Sequence, residues 1–265
     1  MSYHYLLYEL TESVASITLN RRETGNIINE ELAQELRDIC RQINEDETIR
    51  AIVITGAGTE AFCLGNELEH YSLSQRNTSL SVTEAENLIA RYSLSPAITN
   101  ISCPIVAAIN GNAFGQGLEL VLSCDIRIAS NTASFGFPNI TCGLLPIDGG
   151  TQRLPRLIGK GKSLEILLTG ETVNAKEALE MGLVNKIVPP GELTSAVDQI
   201  VKKIKKKAPI ALKYAKEAVI KGLDLTLEQG LRLEADLYFL LHTTRDRTEG
   251  ITAFREKRPP NFEGK

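Results

Sequence analysis

Glu119 lies in the run Asn110-Gly-Asn-Ala-Phe-Gly-Gln-Gly-Leu-Glu-Leu-Val-Leu-Ser-Cys-Asp125, where a glycine-rich turn feeds directly into an apolar helix. It is the only acid of that helix's first turns and is flanked by Leu118 and Leu120. A carboxylate among leucines is costly to ionise, so such a position needs a partner or a task. Gly115 and Gly117 let a ligand approach the backbone closely. The unpaired N–H groups of the helix start then point at incoming negative charge. An acid beside backbone donors is suited to making and protonating an enolate. The competing reading is a structural acid paired with Arg127 or another buried base. The residues alone leave both open.

The elements that must carry these groups follow from periodicity. Tyr5–Leu10 and Val14–Leu19 alternate as two antiparallel strands. A helix over about 29–44 gathers Leu32, Leu36, Ile39, Cys40 and Ile43 on one face. Buried strands are predicted at 51–55 and 104–109, and another at 126–129 after the helix 116–123. The polar stretch His70–Thr83 reads as a mobile loop, with a helix from there to about Asn100. Such alternation of strand and helix predicts stacked β/α units. After Gly149-Gly150 the pattern becomes helical over 151–170, 174–182, 192–207, 209–222 and 226–242. The division expected is a core over 1–195 and a helical region over 196–265 that packs back or meets another subunit.

Composition narrows the class. The 265 residues are 43% hydrophobic, enough for a large core, and the formal charge of −4 argues against general nucleic-acid affinity. The dense lysines at 202, 203, 205, 206 and 207 read as a solvated face. No apolar run approaches the ~20 residues of a membrane span, and the N-terminus lacks a signal-peptide pattern. Five cysteines without a C-x-x-C pair and three histidines give no metal pattern. They read as buried small side chains in a reducing, cytoplasmic compartment, with no membrane partner. Neither Gly56-Ala-Gly58 nor Gly115-Gln-Gly117 extends to G-x-G-x-x-G, which disfavours a dinucleotide enzyme.

Three blocks in order resemble the crotonase (enoyl-CoA hydratase/isomerase) superfamily. They are Ile52-Val-Ile-Thr-Gly56 with Ala61-Phe-Cys-Leu-Gly-Asn-Glu67, then Pro104-Ile-Val-Ala-Ala-Ile-Asn-Gly111 through Gly117-Leu-Glu-Leu120 to Cys124-Asp125, then Phe135-Gly-Phe-Pro-Asn-Ile-Thr-Cys-Gly143 leading into Gly149-Gly-Thr-Gln-Arg-Leu154. The ending Glu249-Gly-Ile-Thr-Ala-Phe-Arg-Glu-Lys-Arg258 is also similar to the family's tail. The resemblance implies an α/β fold, a crotonase-like spiral of ββα units with a C-terminal helical trimerisation region. It implies an acyl-CoA substrate, with coenzyme A entering as part of the substrate and no separate cofactor or metal. The partner implied is a further copy of the chain, as a homotrimer or a dimer of trimers.

By position, the resemblance assigns the thioester oxyanion to the backbone N–H groups of Leu64 and Gln116. Losing a comparable donor costs ~3–4 kcal/mol in the transition state. Glycine is usual at 116, so the Gln116 side chain must point away or contact the ligand. Glu119 matches the first of the hydratases' two glutamates; the second position holds Asn139, which orients water but exchanges no proton at pH 7. Asp148 is the candidate for the missing role, although isomerase-type relatives carry their Asp one residue earlier, where Ile147 stands. Capping the helix through Thr151–Leu157 explains Asp148 equally well. Substrate contacts are carried over to Gly25, Asn26 and Ile27, to Gly65, Asn66 and Glu67, and to Gly117, Tyr238 and Lys257. Lys257 is the cation placed for a CoA phosphate, or else a solvated helix end. His242, on a late helix, reads first as a half-buried histidine. The chemistry implied is hydration or double-bond isomerisation through one retained Glu. Hydrolysis, decarboxylation or C–C cleavage of a β-keto or unusual unsaturated acyl-CoA, and non-catalytic acyl-CoA or RNA binding, are the alternatives.

Overall fold

The computed structural model describes residues 3–67 and 81–265. Its described strands form two sheets whose members alternate along the chain. One sheet runs β1 (Leu6–Thr11), β2 (Val14–Leu19), β3 (Ala51–Gly56), β5 (Ile105–Ile109), β7 (Ile126–Ser130) and β10 (Lys186–Val188). The other runs β4 (Ala61–Cys63), β6 (Asn112–Phe114), β8 (Ser134–Gly136) and β9 (Thr172–Asn174). Each of β3, β5 and β7 is followed by a short strand that crosses to the second sheet, so the chain winds as a spiral of ββα turns. Among the described strands, only the pairs β1–β2 and β8–β9 are antiparallel.

The large sheet is parallel from β2 onward and is covered on both faces. Glu30–Glu45 covers one face: the Asn29 side chain accepts from the Leu32 N–H at 2.9 Å, and Leu32, Ala33, Leu36, Ile39, Cys40 and Ile43 are all buried. The helix Leu193–Lys205 covers the other, packing Leu193, Ala196, Val197 and Val201 on Ala51, Val106, Ala108 and Ile128. The expected boundary at 195/196 therefore falls inside a helix that belongs to the core.

The region expected as a polar loop lies mostly outside the described residues. The helix expected to run on to Asn100 is two helices, Val82–Tyr92 and Ser95–Thr99. The break at Ser93-Leu94 has a tertiary cause, described below. Three later helices, Pro209–Gly222, Leu227–Leu241 and Arg245–Glu256, bury few of their own residues: none in the first, Leu237 in the second, and Asp246 and Ala253 in the third. Lys216 anchors them to the core through Asp125 (2.7 Å) and the Cys103 carbonyl (3.0 Å). Their exposed apolar residues include Val219, Leu227, Tyr238, Phe239 and Phe254. Among the described residues no helix is long and apolar enough to cross a membrane.

Candidate active site

The small sheet brings the candidate residues together. β4 and β6 run parallel with Cys63 beside Ala113, and β6 and β8 run parallel with Phe114 beside Gly136. The chain leaving the ends of these three strands supplies, in order, Leu64, Gln116 and Asn139. Ligands of α/β sheets bind at such carboxyl ends.

The turn after β4 is zipped to the turn at 25–28. The Leu64 N–H donates to the Gly25 carbonyl at 3.1 Å, Ile28 N–H to Gly65 O at 2.9 Å and Glu67 N–H to Ile28 O at 2.9 Å, while Asn66 bridges Ile28. Gly25 lies at φ 71 under the Leu64 side chain, so a Cβ there would collide with Leu64 Cδ1. Asn26 is fully buried; its amide donates to the Ala57 and Ala61 carbonyls and its oxygen accepts from the Arg21 N–H. The Arg21 guanidinium donates to Ile27 O at 2.6 Å and pairs with Glu67 at 2.8 Å. These side chains serve the fold of the two turns, which leaves a ligand mainly their backbone.

The second donor expected from the resemblance, the Gln116 N–H, stands at the start of the helix Gln116–Leu122, whose N-cap is Gly115. Leu118 and Glu119 donate back to the Gly115 carbonyl, so the Gln116 and Gly117 amides precede the first N–H that donates within the helix. Gly117 is required by close approach: a Cβ there would lie 2.1 Å from the Cys63 carbonyl oxygen. That contact sets the helix start against the end of β4, and with it the Gln116 amide beside the Leu64 turn. The Gln116 side chain points away from the helix start and is fully buried. Its Nε2 donates to the Tyr92 carbonyl and, at 3.3 Å, to Asp148 Oδ2. Its Oε1 meets no donor among the described residues. Both neighbours of Nε2 are acceptors, which fixes the sense of the amide.

Glu119 is fully buried, and its Oε1 accepts from the Asp148 and Gly150 N–H groups, each at 2.7 Å. Arg127 is not its partner: that guanidinium donates to Leu183 O (2.8 Å) and Cys124 O (2.6 Å). Two backbone donors on one oxygen therefore fix the carboxylate. Gly150 must be glycine, because a Cβ would meet Phe137 Cζ at 2.7 Å.

Asp148 does not cap its own helix, whose N-cap is Gly149 with no side-chain cap bond. Its carboxylate caps another: Oδ2 accepts from the Leu94 (2.8 Å) and Ser95 (2.9 Å) amides, and Oδ1 from the Ser93 hydroxyl (2.8 Å). These bonds cause the break before Ser95–Thr99. Arg153, which is not among the site residues expected from the sequence, donates to the Asp148 carbonyl at 3.2 Å. Burial lowers its pKa, while the Asp148 and Glu119 charges pull it back up. Its place in the Gly-Gly-Thr-Gln-Arg block is the sequence signal for it; nothing local points to Ser93.

Asn139 is buried in the 3₁₀ turn Pro138–Cys142 that follows β8. Tyr238 stays on the surface at 65% exposure, edge-on to His242 with ring centroids 5.3 Å apart. His242 is exposed, contrary to the half-buried expectation. Lys257 is also exposed, at φ 55, where it ends the helix Arg245–Glu256.

With this arrangement in place, comparison with known proteins is decisive: residues 9–265 match the enoyl-CoA hydratase/isomerase family. The chain belongs to that family. It is 36% identical to a crotonyl-CoA hydratase of Syntrophomonas wolfei, covering 99% of both chains. An (E)-benzylidenesuccinyl-CoA hydratase of Thauera aromatica is 38% identical over 97% of this chain and 98% of that protein. The crystal structure of an enoyl-CoA hydratase from Bacillus anthracis superposes with a TM-score of 0.92 at 38% identity, covering 99% of this chain and 100% of that one. The two-sheet spiral is thus the crotonase fold. Within this enoyl-CoA hydratase/isomerase family member, the strand-end cluster is where the family's blocks converge.

Proposed function

We propose that this family member hydrates a 2-enoyl-CoA thioester, with Glu119 moving the proton. The observation that carries the reading is the buried Glu119 carboxylate, fixed by the Asp148 and Gly150 amides on the helix whose first amide is that of Gln116. One short helix then presents both an oxyanion donor and an acid–base group. The thioester oxygen takes the Gln116 N–H and shares the Leu64 N–H with the Gly25 carbonyl. A water held by Asn139 loses a proton to Glu119 as its oxygen bonds Cβ. The enolate forms against the two amides, and Glu119 returns that proton to Cα, so water is added with no proton left over. The backbone of Gly25, Asn26, Ile27 and of Gly65, Asn66, Glu67 lines the CoA path, with Gly117 giving close access. Tyr238 and Lys257 join it from the late helices, Lys257 toward a phosphate. The exposed apolar side chains of those helices support self-association as a trimer or dimer of trimers.

Because Asn139 cannot donate a proton, moving a double bond from a 3-enoyl-CoA by Glu119 alone is the second reading. Incubation with crotonyl-CoA, followed by loss of the enoyl absorbance, separates the two. Glu119→Gln keeps an acceptor for both amides but cannot take a proton. It should lower kcat at least several hundredfold, within the 10²–10⁴ span of general acid–base catalysis, and leave CoA binding intact. Turnover of a 3-enoyl-CoA without hydration would replace the first reading by the second. Full activity of the Gln variant would remove both.

A further inference from the structure

We propose that Asp148 is a positioning residue, a latch that locks the oxyanion helix start to the clamp holding Glu119, and not a second acid. This rests on the reading of Glu119 as the proton-moving group. The geometry is a closed circuit. The Asp148 carboxylate takes the Leu94 and Ser95 amides, the Ser93 hydroxyl and Gln116 Nε2. The same residue's own N–H holds Glu119 Oε1, and its carbonyl accepts from Arg153. One buried residue thus ties together three segments distant in sequence. These are the break at 93–95, the helix start bearing the Gln116 amide, and the turn that supplies both N–H groups to Glu119. The four donors around the carboxylate leave it shared among fixed groups, which suits it to bracing and not to exchanging protons. Gln116 and Asp148 work as a pair: the glutamine side chain, where relatives of the resemblance carry glycine, is the rod between the latch and the Tyr92 carbonyl.

Asparagine at 148 separates bracing from proton transfer. With its oxygen in the Oδ2 position it still accepts from Leu94, Ser95 and Gln116, and its amide faces the Ser93 hydroxyl, which turns to accept. Asp148→Asn should lower kcat for crotonyl-CoA only a few-fold, with the pH profile of the wild type. Asp148→Ala should lower kcat about 10²-fold, as a 1 Å loss of alignment does, with KM moving less than about threefold. Hydrogen exchange of peptides spanning residues 144–154 should be faster in the Ala variant and near wild type in the Asn variant. Gln116→Met removes the donor to Asp148 while keeping the backbone N–H, and serves if the Ala variant does not fold. It should lose about tenfold in kcat and speed the same exchange. An Asn variant as inactive as Ala, or one with a shifted pH profile, overturns the latch in favour of an acid. Equal exchange in all variants overturns it as well. A wild type that leaves crotonyl-CoA unchanged overturns the hydration reading alone, and the exchange data then judge the latch.

Discussion

Gly117→Ala tests whether the helix start is set by backbone contact with β4. A Cβ at 117 would lie 2.1 Å from the Cys63 carbonyl oxygen, 2.7 Å from its carbon and 2.8 Å from Cys63 Cβ. A carbon-to-oxygen contact normally closes to about 3.3 Å, so one side must retreat by roughly 1.2 Å. Neither side can turn away, since the obstacle is backbone in a buried strand that pairs with Ala113. Overpacking of this kind costs about 1–3 kcal/mol of stability. The retreat also moves the Gln116 amide relative to the Leu64 turn by about the distance that costs ~10²-fold in rate. The assay is hydration of crotonyl-CoA under saturating conditions, paired with a urea melt. Gly161→Ala is the control, because nothing lies within 4 Å of its Cβ. That variant sits in the helix Lys160–Thr169, so it should gain about 0.5–1 kcal/mol and keep its rate. A folded Gly117→Ala protein within threefold of the wild-type rate would refute the argument that this contact aligns the donors.

Asn139→Glu restores an acid at the buried position after β8 and should raise hydration of crotonyl-CoA at least tenfold at neutral pH; a fall instead would mean that Asn139 acts only through its amide. Lys216→Met breaks the ion pair with Asp125 and the bond to Cys103 O, both largely buried, and should cost about 3 kcal/mol in a urea melt. An unchanged midpoint would show the late helices to be anchored by other contacts. Glu249 accepts from Arg258 at 2.6 and 2.9 Å and from the Asn261 N–H, which together hold its pKa down to about 2. A depressed carboxylate pKa gives stability that is present above the unfolded value and lost as pH falls through the folded one. The difference in melting temperature between wild type and Glu249→Gln should therefore be full above about pH 5 and vanish near pH 2. A difference that persists at pH 2 would count against the ion pair.

Legibility in the sequence followed length and locality. The strand β2 and the helix Glu30–Glu45 repeat their apolar residues over enough positions to reveal their period, and each is cored by its own stripe. The strands β4, β6 and β8 are three residues each, too short to show alternation. Yet their ends place Leu64, Gln116 and Asn139 together. Asp148 shows the same limit from the other side. An aspartate before two glycines reads as the cap of the next helix, but its acceptors were claimed by Leu94 and Ser95, more than fifty residues away. Gln116 stands where the family usually has glycine, and only its bonds to Tyr92 and Asp148 say where the side chain goes.

Composition, period and motif blocks are local or ordered along the chain, so the α/β class, the family and the glutamate beside a glycine-rich helix start can be read from the residues. Tertiary structure alone decided what each polar group is bonded to. It turned Arg127 toward carbonyls, gave Glu119 two backbone donors, engaged the Leu64 amide with Gly25 and spent Asp148 on a distant helix. The reason is that a buried hydrogen-bonding group must find a partner in space, and the partner's position along the chain carries no trace of that pairing.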